Sequence, residues 1–347
     1  GKYVYEVAKE ILEKEDEKII NNVEYLREVI LKILISSIEE DLKAFGVSFD
    51  NWFSEKKMRE RGEIHFVLDY LKKRNFSYEK DGAIWFKSKD FGDEKDRVLV
   101  KSDGDYTYFL TDIAYHLNKW NRGFREVIDI WGWDHIGHIM PLKWALKVFD
   151  IGEDFLTVIL YQIVHLVESG KEVKMSKSKG EFVTLRELID EIGKDTVRFI
   201  FLSRSSDSML SFDLDVARKK NLENPVYYIQ YAYTRTRSIE RKRLEKNINF
   251  DFENINLDFN SDERELLNKL IYVEEILYQT VNKLSPHLLT FHAYDIAKKF
   301  HSFYHDYPVL NLDDEKERNK RILLVKGVEI TLSLLLNLIG VSTPEEM

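Results

Sequence analysis

The order of hydrophobic patterns predicts an α/β region followed by an all-helical bundle. Three observations carry this. Apolar residues recur at three- and four-residue spacing from Tyr3 to about Phe45. Short β-branched and aromatic runs alternate with helical stretches between residues 78 and 166, and beyond about Leu185 nearly every stretch has helical periodicity.

In the first stretch Ile19, Val23, Leu26, Ile30, Ile33 and Leu34 share one helical face, and Gly46 ends it. A shorter helix is predicted from about Ile64 to Lys73. Tyr78–Lys80 and Ala83–Lys87 flank Asp81-Gly82, a dipeptide suited to a tight hairpin. Arg97–Lys101 reads as a strand, Thr107 to Trp120 as a helix, and Val127–Trp131 as a compact apolar strand ending at Gly132. Leu142–Val148 resumes a helix, and Phe155–Leu166 is apolar and β-branched enough for one further strand. In the remaining half Pro225, Pro286 and Pro308 are the internal breaks. One helical face runs through Leu266, Leu267, Leu270, Val273, Ile276 and Leu277, another through Leu323–Leu338. The most apolar stretch, Ile322 to Ile339, contains Lys326, Glu329 and Asn337, which fits a buried amphipathic helix rather than a membrane span.

With 347 residues, two or three domains are expected. Lys+Arg total 52 against 61 Asp+Glu, a net charge of −9 that argues against a uniformly basic nucleic-acid coat while leaving room for local basic patches. No cysteine is present, which excludes disulfides, thiolate zinc sites, iron–sulfur clusters and cysteine nucleophiles. Gly1–Glu10 lacks the basic region and apolar run of a secretory signal, so a cytoplasmic protein is expected. The nine histidines form no H-x-x-x-H pair with a matching carboxylate, so no protein metal site is predicted; His301 and His305 read as a surface pair on a helix.

The sharpest chemical feature is Lys174-Met175-Ser176-Lys177-Ser178, followed by Lys179-Gly180. A cationic, hydroxyl-bearing loop after an apolar strand can neutralise charge that develops on a departing pyrophosphate and close over a nucleotide. Most lysine-rich runs are merely solvated surface loops. Here the full pentapeptide resembles the KMSKS signature of class I aminoacyl-tRNA synthetases, which displaces that bland reading. The neighbouring text is similar to arginyl-tRNA synthetases: Tyr78 to Phe86, Gly92 to Leu99, Ser102-Asp103-Gly104, Tyr106 to His116, Asn224 to Ala232, Tyr294-Asp295-Ile296-Ala297 and Pro344-Glu345-Glu346-Met347.

A guanidinium is planar, permanently charged and rich in donors, so a selective pocket needs a carboxylate and fixed acceptors. Tyr108 and Asp112, at i and i+4, share one helix face. By residue type alone, Asp112 reads more simply as a carboxylate placed against the helix dipole. The resemblance implies instead that Tyr108 and Asp112 hold the substrate side chain, joined by a glutamine that matches Gln162. Gly132-Trp133-Asp134-His135 follows an apolar strand, where nucleotides gather in open α/β sheets. The family has a similar Gly-x-Asp-His segment on its ATP side, so Gly132, Asp134 and His135, with Met175, Ser176 and Ser178, are the expected ATP contacts. This chain departs from the family pattern at Trp133 and His138. His135-Ile136-Gly137-His138 spells the other class I signature, but it sits in the slot of the Gly-x-Asp-His segment; the identity is read as coincidental.

The resemblance implies ATP-dependent activation of arginine and its transfer to tRNA(Arg), with Lys177 stabilising the departing pyrophosphate, Lys174 assisting, and Mg2+ arriving with ATP. It implies three parts: a helical insertion over residues 1–75, the second half of a Rossmann-like parallel sheet over 76–216, and a helical anticodon-binding domain over 217–347. The first strand-to-helix signature of the class is expected to be missing, which predicts little or no activity for this chain alone. From Arg218 to Lys246 nine basic and three acidic residues give a local net charge of +6, interleaved with Tyr227, Tyr228, Tyr231 and Tyr233. That composition suits phosphate contact and base stacking, with Tyr227, Tyr231, Arg235, Arg237 and Arg241 the candidate tRNA contacts; tyrosines packed against the fold are the competing reading. The family is usually monomeric, and no membrane partner is expected. Two rivals remain open: a non-catalytic RNA-binding fragment or paralogue, and another class I synthetase, the latter disfavoured by the missing cysteines and the Tyr108/Asp112/Gln162 set.

Overall fold

The computed structural model describes residues 2–14, 22–173 and 183–347. The chain forms two compact units, one of Phe49–Ile163 with Ser206–Ser208, the other of Gly1–Ser48, Val164–Ser205 and Met209–Met347.

The unit beginning at Phe49 opens with helices α3 (Glu55–Glu60) and α4 (Glu63–Lys73), which follow α1 (Lys2–Lys14) and α2 (Val23–Ala44) in the chain. The predicted hairpin forms from β1 (Ser77–Lys80) and β2 (Ala83–Phe86), and β3 (Arg97–Val100) adds antiparallel to β2. Asp81 and Gly82 take φ of 53° and 75°, the left-handed pair that a two-residue hairpin needs. Helix α5 (Tyr108–Asn121) starts on Thr107, whose hydroxyl accepts from the Leu110 N–H and donates to the Val98 carbonyl, pinning the helix start to β3. Strand β4 (Val127–Gly132), a 3-10 turn (Trp133–His138), helix α6 (Ile139–Lys147) and β5 (Leu156–Tyr161) follow. β4 and β5 run parallel in continuous register from Val127↔Leu156 to Gly132↔Tyr161. Phe86, Leu99, Leu110, Ile113, Leu142 and Phe155 share the buried core that joins both sheets to α5 and α6.

The single strand expected over Phe155–Leu166 is two. β5 ends at Tyr161, and β6 (Val164–Glu168) joins a different sheet, antiparallel to β7 (Lys171–Glu172) and parallel to β8 (Leu210–Asp213). At the break the Gln162 N–H donates to the Ser206 carbonyl, 2.9 Å away, instead of continuing a ladder. No turn residue marks this point, so hydrophobic pattern alone runs straight through it. β8 lies where helix was expected; Leu210 and Phe212 are buried between exposed Ser211 and Asp213, a period of two too short to stand out.

In the other unit α2 is capped by Asn22, and α7 (Leu185–Ile192) carries a reciprocal Thr184/Glu187 capping box. Then come α8 (Lys194–Phe201), α9 (Leu214–Ala217) and the bundle: α10 (Pro225–Glu245), α11 (Ser261–Ile271), α12 (Val273–Lys283), α13 (His287–Asp306) and α14 (Glu315–Leu338). Pro225 sits in the first turn of α10 and Pro286 precedes α13, as their missing N–H groups dictate. The face expected through Leu266–Leu277 is shared by two helices that meet at Tyr272. Ile229, Leu266, Ile296, Phe300, Val328 and Leu332 lie in one buried core. α14 is amphipathic as expected, and among the described residues no helix is long and apolar enough to cross a membrane. α/β followed by helical bundle is therefore the observed architecture.

Candidate active site

Tyr108, Asp112, Gly132, Asp134, His135 and Gln162 all fall in the unit that begins at Phe49. The parallel register places Gly132 opposite Tyr161, so the Gly132–His135 segment and Gln162 leave neighbouring strands at the same carboxyl edge. Only residues 122–126 link α5 to β4. That short link sets the end of α5 beside the start of β4, so the helix runs back along the sheet. Its first two turns, with Tyr108 and Asp112, thus point toward the same carboxyl edge.

Tyr108 is 84% exposed and lines a cavity of about 700 Å³, together with Glu55, Arg59, Arg97, Tyr106 and His138. Asp112, one turn on, is half-buried. Burial pushes its carboxyl pKa from 3.8 up to about 6; His116 and Lys119 pull against this, while Asp129 and Glu55 add to it. Among the described residues no cation forms an ion pair with this carboxylate. An acidic group set in a partly dry site without a partner is suited to receiving a cation from outside.

Behind Asp112 lies a set of residues not singled out from sequence. His116 Nδ1 is 2.8 Å from the Asp112 carbonyl oxygen, and its Nε2 is 2.8 Å from Asp129 Oδ2. Lys119 Nζ donates to Asp129 Oδ1 at 2.9 Å. Burial pushes the Asp129 carboxyl up, but the bonds from His116 and Lys119 outweigh it and leave the pKa below the usual carboxylate range. The available signal was Asp129 itself, a carboxylate in the middle of the apolar run Val127–Trp131.

On the strand edge, a Cβ at Gly132 would lie 2.7 Å from Asp134 Oδ1, so glycine is what lets this carboxylate fold back over the backbone. His135 Nε2 is 3.7 Å from Asp134 Oδ2, and both side chains are solvent-accessible. Burial, then the charges of Arg97 and His135, lower the His138 pKa. Lys174, Met175, Ser176, Lys177 and Ser178 lie outside the described residues. No group of three or more His, Asp or Glu among the described residues is arranged to hold a metal.

The basic stretch lies mostly on α10, and its arginines have protein partners. Arg235 lies over the rings of Tyr231 and Tyr304, at 4.7 and 4.6 Å, and donates to the Tyr231 hydroxyl. Arg237 bridges Glu329 and Glu345, and Arg241 pairs with Glu346 at 3.3 Å. Tyr233 is in the bundle core, and Tyr227 and Tyr231 are half-buried. His301 is no surface residue: its ring packs against Tyr228 and Tyr231 and its Nε2 faces the Tyr228 carbonyl at 3.2 Å. The helix turns that side toward α10, which spacing within α13 alone could not show.

Residues 4–252 match the family of tRNA synthetases class I (R), catalytic domain, and residues 229–347 match the DALR anticodon binding domain. The chain is 46% identical over 331 residues to the arginine–tRNA ligase of Aquifex aeolicus (strain VF5), covering 94% of this chain and 56% of that protein. It is 43% identical to the arginine–tRNA ligase of Syntrophotalea carbinolica, covering 100% and 64%. The chain thus spans somewhat over half the length of these curated relatives. The crystal structure of an arginyl-tRNA synthetase from Campylobacter jejuni superposes with a TM-score of 0.88 at 30% identity, covering 100% of this chain and 76% of that one. The Thermus thermophilus enzyme, at 20% identity and a TM-score of 0.76, shares the fold. With a catalytic-domain match across most of its length and the anticodon-binding domain behind it, the chain belongs to the arginyl-tRNA synthetase family of class I.

Proposed function

We propose that the protein acts as an arginine–tRNA ligase. The observation that carries this is the half-buried Asp112 carboxylate, which makes no ion pair with any described residue, one helical turn from exposed Tyr108 at the carboxyl edge of a parallel sheet. In this reading Asp112 pairs with the guanidinium of arginine, with Tyr108 and Gln162 completing the pocket. The arginine carboxylate attacks the α-phosphate of ATP, pyrophosphate leaves, and a terminal ribose hydroxyl of tRNA then takes the arginyl group as AMP departs. Gly132, Asp134 and His135, with Met175, Ser176 and Ser178, contact ATP. Lys177 neutralises charge gathering on the pyrophosphate oxygens, with Lys174 assisting. Mg2+ comes with the ATP phosphates and needs no protein cage of its own. Tyr227, Tyr231, Arg235, Arg237 and Arg241 contact tRNA(Arg), and an RNA phosphate there would exchange places with the carboxylates of Glu329, Glu345 and Glu346. We keep the division into residues 1–75, 76–216 and 217–347, and a cytoplasmic monomer, as parts of the same proposal.

The finer reading is that these 347 residues carry one half of the active site. The span of 56% and 64% of the relatives supports it, as does β4: Ile128 and Ile130 remain 52% and 68% exposed, whereas parallel sheets are ordinarily covered on both faces. Two measurements on the polypeptide test both levels. Calorimetric binding of L-arginine, lost in Asp112→Ala, is expected; no binding by the parent protein would overturn the ligase reading. Pyrophosphate exchange with ATP, arginine and tRNA is expected to be near background, and turnover at an ordinary synthetase rate would overturn the half-site reading alone.

A further inference from the structure

Beneath Asp112, α5 presents a polar stripe, Asp112, His116 and Lys119, to the inner face of β4, where Asp129 lies between Val127 and Trp131. His116 is 2% exposed, and the Asp129 and Lys119 side chains are nearly as buried. The Asp112 carbonyl can only accept, so Nδ1 of His116 carries a proton and donates to it. That carbonyl also accepts the ordinary helical bond from the His116 amide. The other ring nitrogen is held on Asp129 Oδ2, while Lys119 occupies Oδ1. Both ends of the imidazole are therefore fixed at 2.8 Å, one to the strand and one to the turn that bears Asp112. A slide or rotation of α5 by an ångström would break one of them. Stability gives little reason for this set, because a buried ionic cluster is often matched or exceeded by apolar packing of the same volume. Its physical value is precision of placement.

We propose that His116 is a positioning residue for the cation pocket: gripped by Asp129, it locks the helical turn that presents Asp112, while Lys119 occupies the other Asp129 oxygen so that Asp112 is the carboxylate left open to a guanidinium. This rests on the reading of Asp112 as the arginine-binding group.

The test compares binding of L-arginine and of L-citrulline, its uncharged urea counterpart, to the 347-residue protein and its variants. His116→Phe is expected to weaken arginine roughly tenfold while leaving citrulline nearly unchanged, since displacing Asp112 costs the charged ligand most. His116→Gln, which keeps a donor toward Asp129, and His116→Asn, which keeps one toward the Asp112 carbonyl, should each restore part of that loss. A folded His116→Phe protein with the parent's arginine affinity, or with both ligands weakened equally, would overturn the assignment. Should His116→Phe not fold, Asp129→Asn preserves shape and decides it: an unchanged arginine-to-citrulline ratio overturns the proposal, and a reduced one supports it. Arginine binding lost in Asp112→Ala but intact in His116→Phe would remove His116 only. No arginine binding by the parent would remove the pocket and this inference together.

Discussion

Two buried ionic clusters, one in each unit, follow opposite rules. In the helical bundle Glu263 is fully buried, yet Lys320 Nζ lies 2.7 Å from its Oε2 and Arg321 Nε 3.4 Å from its Oε1. Lys320 and Arg321 are held in turn by Glu317, at 2.9 and 3.0 Å. Every charge there has its opposite. Around α5, Asp129 is likewise served twice, by His116 and Lys119, but the Asp112 carboxylate makes no ion pair among the described residues and feels those two groups only at longer range. The charge-balanced cluster ties α11 to α14, although Glu263 Oε1 has no hydrogen bond. The other retains a carboxylate whose protonation is still open. Burial of charge is common to both; the number of opposite charges paired with each carboxylate is what differs.

The contrast can be attacked at its strongest point first. Lys320→Met should strand Glu263 and cost about 3–5 kcal/mol in urea unfolding, with no change in arginine affinity. A loss below 1 kcal/mol would mean that the bundle cluster is no more closed than the other. At the opposite pole, Asp112→Asn should stabilise the fold. The folded pKa of about 6 lies above 3.8, so the favourable contribution of this group is complete below pH 3.8 and is lost as pH rises through 6. At pH 8 the ligand-free protein holds a half-buried carboxylate charge, and removing it should gain roughly 1–3 kcal/mol by urea titration while arginine binding disappears. A destabilised Asn variant would show that Asp112 has a partner in the fold after all.

The same group sets a pH dependence. If arginine binds the ionised carboxylate, its affinity should fall about tenfold between pH 7 and pH 5, read by calorimetry; a flat profile would separate the pKa from the ligand. The smallest effect belongs to the surface. Arg241→Ala should lower the logarithmic salt slope of tRNA binding by about one contact and leave stability within about 0.5 kcal/mol, because its pair with Glu346 is exposed.

Much of this was legible in residue order. The hairpin at Asp81-Gly82, the helix starts at Pro225 and after Pro286, and the amphipathic course of α14 all follow from local rules that a short window contains. Tyr108 and Asp112 were placed on one face by spacing alone. The split of Phe155–Leu166 was not legible, because what ends β5 is a bond from Gln162 to Ser206, a residue 44 positions away with no trace in the local pattern. β8 was hidden for the same reason: its strand character comes from β6 beside it. His301 looked like a surface residue until α10 was laid against it.

Residue order therefore settled the types of element, the polarity of most of their faces, and the family resemblance. These depend on covalent neighbours and on side-chain chemistry, which any stretch carries with it. Which strands pair, which charges are neutralised and which one is left open came from distant segments meeting. Asp112 and Asp129 are the same residue type seventeen positions apart; only the ring of His116 and the ammonium of Lys119, closing on one side chain and not the other, set them apart.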